Sequence, residues 1–214
     1  MKIIKPNILK ELDMVEDILP LISQSKADEN DISAKHVKEV SLNDTDISEI
    51  CFKGIIFENC KFVDCSFQKS DFIDVIFKSC DLSNSNLSDG YFNRCQFISS
   101  KAIGVNIQNG NLQHLSILNS NFKYANFDSS KLSNVSISES DMSNGYFSEC
   151  KLTNLELDNV NLMNTNFFKT PLKGIDFTQS QIDRIIISVE ELKGAIVSAY
   201  QASELAKLLG LIVK

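Results

Sequence analysis

The sequence predicts an all-β solenoid, a four-sided β-helix of about eight coils with a cap at each end. Three observations predict it. Every fifth residue from Leu42 to Val197 is apolar without a slip, which makes 32 consecutive units. Residues twenty apart match in kind, as in the column Phe52, Phe72, Phe92, Leu112, Leu132, Leu152, Leu172, Leu192. The place two before each central residue is mostly small, and the place one before is often Asn or Asp. A helix repeats at 3.6 residues and a strand at 2. A period of five therefore requires a backbone that turns at a fixed interval.

Residues 1–36 precede the strong repeat and are expected to form the N-terminal cap. Ile8, Leu12, Val15 and Leu19 lie at helical spacing and are followed by Pro20, which predicts a short helix that stops there. The polar stretch Ser23 to Asp31 reads as a loop, and Ile32 and Val37 as an irregular first coil. Residues 37–197 form the rod. With four units per coil, strands stacked ~4.8 Å apart give it a length of roughly 38 Å. A second column, Phe57, Phe77, Phe97, Ile117, Ile137, Leu157, Phe177, Val197, changes from aromatic to aliphatic at the same coil as the first. Asn86, Asn106 and Asn126 stack as a predicted amide ladder. Of fourteen Phe, only Phe168 falls in an outward slot, so the aromatic residues are core. Residues 198–214 follow. Ser198-Ala199-Tyr200-Gln201 has the form of a capping box, Ala202, Leu205, Ala206 and Leu209 share a helical face, and Gly210 ends the helix. Leu211-Ile212-Val213 then reads as a short apolar strand that invites pairing with another chain.

Composition excludes several functions. The net charge of −7 argues against direct binding of nucleic acid or an anionic membrane. No apolar run approaches the ~18 residues of a membrane span, and the apolar length at the N-terminus is too short for a secretory signal. A cytoplasmic protein is expected. Five of the six Cys (Cys60, Cys65, Cys80, Cys95, Cys150) fall two places before a central residue, where Ser, Ala and Gly stand in other units. They read as small buried groups rather than metal ligands. His36 and His114 are far apart in sequence, and no nucleophile elbow, P-loop or HExxH motif is present. No catalytic residue, metal site or cofactor is predicted, and an enzyme is not expected.

The unit small–(Asn/Asp)–(Leu/Phe)–polar–variable, as in Ser85-Asn86-Leu87-Ser88-Asp89 and Ala125-Asn126-Phe127-Asp128-Ser129, resembles that of pentapeptide repeat proteins. The resemblance implies a right-handed quadrilateral β-helix. The tail from Leu192 to Val213 is similar to the C-terminal segment of the Qnr-type quinolone-resistance proteins. That likeness implies a homodimer joined end to end through the C-terminus, with Leu205, Leu208, Leu209, Leu211, Ile212 and Val213 as interface candidates. It also implies a rod that mimics DNA and binds DNA gyrase or topoisomerase IV, modulating it or protecting it from fluoroquinolones. Two family features are missing: outward loops, and a single-residue break within the rod. Between Leu42 and Val197, nineteen acidic residues stand against thirteen basic ones. A duplex of the same length would carry roughly 22 charges, so mimicry would need one concentrated acidic face. Asp44, Asp64 and Asp81 are the candidates for it. The alternative is a rigid scaffold for a partner that is not a topoisomerase.

Overall fold

The computed structural model describes residues 2–213. The chain forms β1 (Asp13–Val15), α1 (Leu19–Asp28), β2 (Ile32–Ser33), β3 (Lys35–Lys38), β4 (Ser41–Asn43), β5 (Cys51–Glu58) and β6 (Lys61–Val63). It continues with β7 (Asp71–Lys78), β8 (Tyr91–Ile98), β9 (Asn111–Leu118), β10 (Lys131–Ser138), β11 (Lys151–Asp158), α2 (Ala199–Ala206) and a 3-10 turn at Lys207–Leu209. All strand pairing is parallel, and through the rod it keeps the twenty-residue register: Phe52 pairs with Phe72, Phe72 with Phe92, Phe92 with Leu112, Leu112 with Leu132 and Leu132 with Leu152. With Ile32 beneath Phe52, this sheet holds seven stacked levels, so the solenoid has about seven turns in strand register rather than eight uninterrupted ones.

Each turn of the backbone falls two places after a central residue. That residue is in the left-handed region in every unit from Glu29 to Gly174, at φ between 48° and 62° wherever it is not glycine. An L-residue disfavours this conformation, and Gly, Asn and Asp tolerate it best. The slot accordingly carries Asn59, Asn84, Asn109, Asn119, Asn134, Asn144, Asn154, Asn159 and Asn164, together with Asp and Gly. Corner geometry thus begins at Glu29, upstream of the apolar repeat.

The four sides are of two kinds. Two adjacent sides form the eight-residue strands β5 and β7–β11. The other two are tight turns joined mostly by isolated bridges, such as Asn86 to Asn106 and Asp81 to Lys101. On these turn sides the Asn or Asp before the central residue accepts from the N–H two residues on. Asp81 takes that of Ser83 at 3.0 Å, Asn86 that of Ser88 at 3.1 Å and Asn126 that of Asp128 at 2.9 Å. This local bond competes with extended backbone and fixes the turn.

The core is a stack of side chains along the axis. Phe72 lies between Phe52 and Phe92, with ring centroids at 5.4 and 4.8 Å, and Phe77 between Phe57 and Phe97 at 5.1 and 4.7 Å. Beside the small buried Ala102, the rings of Phe97 and Phe122 meet edge to face at 5.3 Å. Among the described residues no buried side-chain nitrogen or oxygen lacks a partner. The inward hydroxyls see to this: Ser100 Oγ accepts from the Cys80 N–H at 3.1 Å and donates to the Phe77 carbonyl at 3.2 Å. The five buried cysteines take equivalent places. All six are free, and burial pushes the Cys95 and Cys150 thiols up to about 12. The amide ladder forms between Asn106 and Asn86, at 3.2 Å, and recurs at the corners, as between Asn154 and Asn134 at 3.0 Å.

Both ends differ from the sequence reading. The N-terminal helix spans Leu19–Asp28, so Pro20 starts it, and of the stretch read as a loop Ser23 to Asp28 is helical. Proline suits a first turn because the N–H it lacks has no partner there anyway. Ile18 and Ile22 bury against the first coil. Of the residues expected to form the helix only Leu19 enters it, and the segment before it lies along the rod. The Asn7 N–H donates to Asp74 Oδ1 at 2.8 Å and the Ile4 N–H to His114 Nδ1 at 3.5 Å, before β1 pairs with β3. The capping box of α2 forms as predicted, with the Gln201 N–H on Ser198 Oγ at 3.3 Å and the Ser198 N–H on Gln201 Oε1 at 2.8 Å. Gln201 also donates to the carbonyls of Phe177 and Ser180, both at 2.8 Å, and so closes the C-terminal end. Leu211, Ile212 and Val213 form no strand: they are exposed and, among the described residues, pair with no strand of the rod.

Candidate interaction surfaces

Stacking at twenty residues puts the acidic residues of each column against the residue one coil above. Often that residue is basic. Glu49 pairs with Lys69 at 3.3 Å, Glu58 with Lys78 at 2.7 Å, Asp81 with Lys101 at 3.1 Å and Glu149 with Lys169 at 2.8 Å. Asp74 takes Arg94 in a two-pronged pair at 2.6 and 2.7 Å. His36 Nε2 lies 2.9 Å from Glu58 on its other oxygen. Surface pairs of this kind stabilise little individually. Their effect on the surface is larger, because they break the acidic excess into neutral pairs.

Asp44 and Asp64 are both exposed and stack at one corner. The column continues with Asn84, Gly104, Tyr124, Asn144, Asn164 and Arg184, so the acidic run is two residues long. Asp81 lies at the opposite edge of that side, half-buried, bound to Ser83 and Lys101. The structure thus joins Asp44 to Asp64 but does not bring Asp81 into one stripe with them.

Several carboxyls sit below their usual range. Hydrogen bonds from Lys26 and Ser48 hold Asp46 at about 2. Lys78, then His36, lower Glu58 against the opposing effect of desolvation. For Asp74 desolvation pushes upward, and is outweighed by the bonds from Arg94 and from the Asn7 N–H. A carboxyl whose folded pKa is depressed stabilises the fold above its unfolded value of ~4 and ceases to as pH falls through the folded value. The melting temperature is therefore expected to hold from pH 7 to about 5 and to fall steadily between about 4 and 2. Circular dichroism melts across that range, at constant ionic strength, check this.

At the C-terminal end, Val189, Leu192, Ala195 and Val197 of the last coil face Ala202, Leu205, Ala206 and Leu209 across an apolar cleft of about 280 Å³. The interface candidates therefore divide. Leu205 is half-buried against the last coil, whereas Leu208, Leu209, Leu211, Ile212 and Val213 are exposed, Ile212 to 87%. Tyr200, Val189 and Ile196 add exposed apolar area at the same end. On the rod itself Tyr124, Tyr146, Phe168 and Ile186 are exposed, with Lys169 Nζ 5.3 Å from the Phe168 ring centre. Only Phe168 of these four stands out in the sequence as an outward residue; the tyrosines are found by noting that each replaces Asn or Gly in its column. A shallow polar groove of about 740 Å³ follows one corner from Asn59 to Gln181. Among the described residues no cluster of three or more His, Cys, Asp or Glu is placed to hold a metal ion, and no helix is long and apolar enough to cross a membrane.

This architecture has known counterparts. The structure of full-length QnrB1, a plasmid-mediated fluoroquinolone resistance protein, is 18% identical with a TM-score of 0.50, covering 93% of this chain and 95% of that one. A trypsin-treated QnrB1 variant is 19% identical with a TM-score of 0.53, covering 85% and 99%. A pentapeptide repeat protein from the Arabidopsis thaliana thylakoid lumen is 24% identical over 47% of this chain and 66% of that one, with a TM-score of 0.32. No curated protein matches. The QnrB1 likenesses establish the fold. The profile described as pentapeptide repeat region matches residues 70–144, and that described as pentapeptide repeats (8 copies) matches residues 41–78 and 145–180. Together they span residues 41–180, well over half of the chain, and the chain belongs to the pentapeptide repeat family.

Proposed function

We propose that this chain is a rigid, non-catalytic, cytoplasmic interaction rod that works as a homodimer joined at its C-terminal ends. The observation that carries this reading is the way polar side chains satisfy one another along the axis. The surface is preformed and stiff, and it offers shape and hydrogen-bonding groups rather than a reactive cluster. Association through the C-terminus is supported by the exposed Leu208, Leu209, Leu211, Ile212 and Val213 beside the apolar cleft. Apolar area concentrated at one end of a rod marks a contact surface. Removing residues 199–214 is expected to convert a dimer to a monomer; light scattering that gives the same mass for both chains would reject the tail as the joint.

For the partner, we infer a bacterial type II topoisomerase, DNA gyrase or topoisomerase IV, bound by a rod that stands in for DNA. The reading is supported by the net charge of −7 and by a likeness that spans nearly the whole of QnrB1. The test is a gyrase supercoiling assay with added protein, with and without a fluoroquinolone. Inhibition, or recovery of supercoiling in the presence of the drug, is expected; neither effect, together with no binding to the enzyme, would reject it. A scaffold for a different protein is the second reading. It is favoured by the axial ion pairs, which leave Asp44 and Asp64 as a short acidic corner rather than a stripe.

A further inference from the structure

Three aromatic rings stand in a row on one turn side of the rod. Tyr124, Tyr146 and Phe168 each lie twenty-two residues on from the last, one coil up and two places along the side. They are 55%, 46% and 49% exposed. Tyr124 sits at a corner, at φ 60°, between Gly104 below and Asn144 above. A bulky side chain gains nothing from the left-handed conformation, and among the described residues this is the only Phe or Tyr that adopts it. Tyr146 stands between Asn126 and Asn166, and its backbone bridges both. Among the described residues neither tyrosine hydroxyl has a hydrogen-bond partner.

The surroundings narrow what such a row can hold. The backbone beneath it offers no strand edge, because Asn106, Asn126, Tyr146, Asn166 and Ile186 are bridged each to the next. Its amides are engaged: Asn126 accepts from the Asp128 N–H at 2.9 Å, Asn166 from the Phe168 N–H at 3.0 Å, and Asn164 donates to Asn144 at 3.2 Å. A glycan, which is held by many side-chain hydrogen bonds, finds few free ones here. The net charge of −7 disfavours a nucleic acid. The row is one residue wide, which suits a linear segment, and a helix would need a groove. One step along the row rises ~4.8 Å and advances two residues, so neighbouring Cα atoms lie roughly 7–8 Å apart. Side chains on the outside of a closed rod diverge, which brings the rings close to the ~9.3 Å spanned by three residues of a polyproline II helix. That helix leaves its carbonyls unpaired, and the two free phenols are donors for them.

Lysines bracket the row. Lys123 precedes Tyr124 and Lys169 follows Phe168, in exposed pairs with Asp141 at 3.3 Å and Glu149 at 2.8 Å. Such pairs hold weakly, and an ammonium has donors to spare for a second carboxylate. We propose that Tyr124, Tyr146 and Phe168 form a docking site for a proline-rich segment of a partner protein, in the polyproline II conformation, with proline at every third place and an acidic residue at each end. This rests on the reading of the chain as an interaction rod but not on a topoisomerase as its partner. Light scattering and the supercoiling assay decide that reading without any peptide, so the two can fail separately.

The test uses the full chain and a fluorescent peptide, Glu-Pro-Pro-Ala-Pro-Pro-Ala-Pro-Glu, read by anisotropy. Saturable binding is expected. Tyr146→Ala removes the middle ring and should weaken it at least about tenfold. The melting temperature should stay as it is, since the lost side chain is half-exposed and unpartnered. Tyr91→Ala, on a strand side, should bind as the unchanged chain does. Alanine in place of every third proline should cost a similar factor, and lysine in place of both glutamates should weaken binding most at low salt. No saturation at millimolar peptide overturns the proposal, as does equal binding by Tyr146→Ala. Binding of cellohexaose in place of the peptide, lost in Tyr146→Ala, would overturn it in favour of a linear glycan.

Discussion

Replacing Phe72 by alanine is expected to cost about 3–5 kcal/mol of folding stability, seen as a lowered urea midpoint by circular dichroism. Phe72 is fully buried, lies stacked between Phe52 and Phe92, and meets Phe67 and Phe77 at 5.9 and 5.7 Å. Truncation leaves a ring-sized void. The surrounding backbone cannot close on it, because left-handed corners every five residues and hydrogen bonds to both neighbouring coils fix the side of the square. Leu157→Ala supplies the contrast. Its side chain is only half-buried, on the side of β11 where no backbone hydrogen bond reaches residues 171–178, so loss of packing is smaller and a cost under about 2 kcal/mol is expected. Equal losses at the two positions would mean that β11 is packed in solution as tightly as the coils below it.

Deleting residues 101–120 should leave a folded rod one coil shorter, whereas deleting Asn109 alone should abolish cooperative folding. The first deletion joins Ser100 to Asn121, which keeps the order of the slots and places Phe127 above Leu87 and Phe122 above Leu82. Each coil contacts only its neighbours, so removing one leaves the remaining interfaces intact. The second deletion removes a corner and shifts every later residue by one place. Residues that belong in the core, Phe122, Phe127, Phe147 and Phe167 among them, then turn towards corners or solvent, each losing about 1.5–3 kcal/mol of burial. Sedimentation and circular dichroism distinguish a compact shorter rod from an unfolded or aggregated chain. A cooperative melt in the Asn109 deletion would show that the five-residue register is not what holds the fold.

Much of the architecture was legible because a solenoid repeats its constraints. A residue such as Phe72 meets the same environment as Phe52 and Phe92, so one pattern is read many times and local ambiguity averages out. The same redundancy identified Cys60, Cys65, Cys80, Cys95 and Cys150 as core residues. The corner signal was also present, in the Asn-rich slot of Asn134, Asn144, Asn154 and Asn164, and so was the division into strand and turn sides, in the placing of Asn and Asp. Legibility failed at single events. Pro20 has opposite meanings at the start and the end of a helix, and only packing of Ile18 and Ile22 on the first coil selects the start. For the interaction surfaces less was legible. Asp81 belongs to the same side as Asp44 and Asp64 but is neutralised by Lys101, a relation that depends on side-chain reach as well as register.

The sequence by itself determined the core, the four sides, the direction of stacking and the capping box of α2, since each follows from residue type at a fixed spacing. Tertiary structure alone decided where the strand ladder stops: among the described residues no backbone hydrogen bond joins β11 to residues 171–178. Pro171, which has no N–H to donate, and Asp176, whose carboxylate takes the Thr178 N–H into a turn, are each tolerable in one unit, and their consequence appears only when the coil they shape is set against the extended β11. It also decided which charges face outward unpaired and that the tail ends exposed rather than paired. Spacing specifies what lies twenty residues away, but hydrogen bonding between two coils depends on the backbone shape of both.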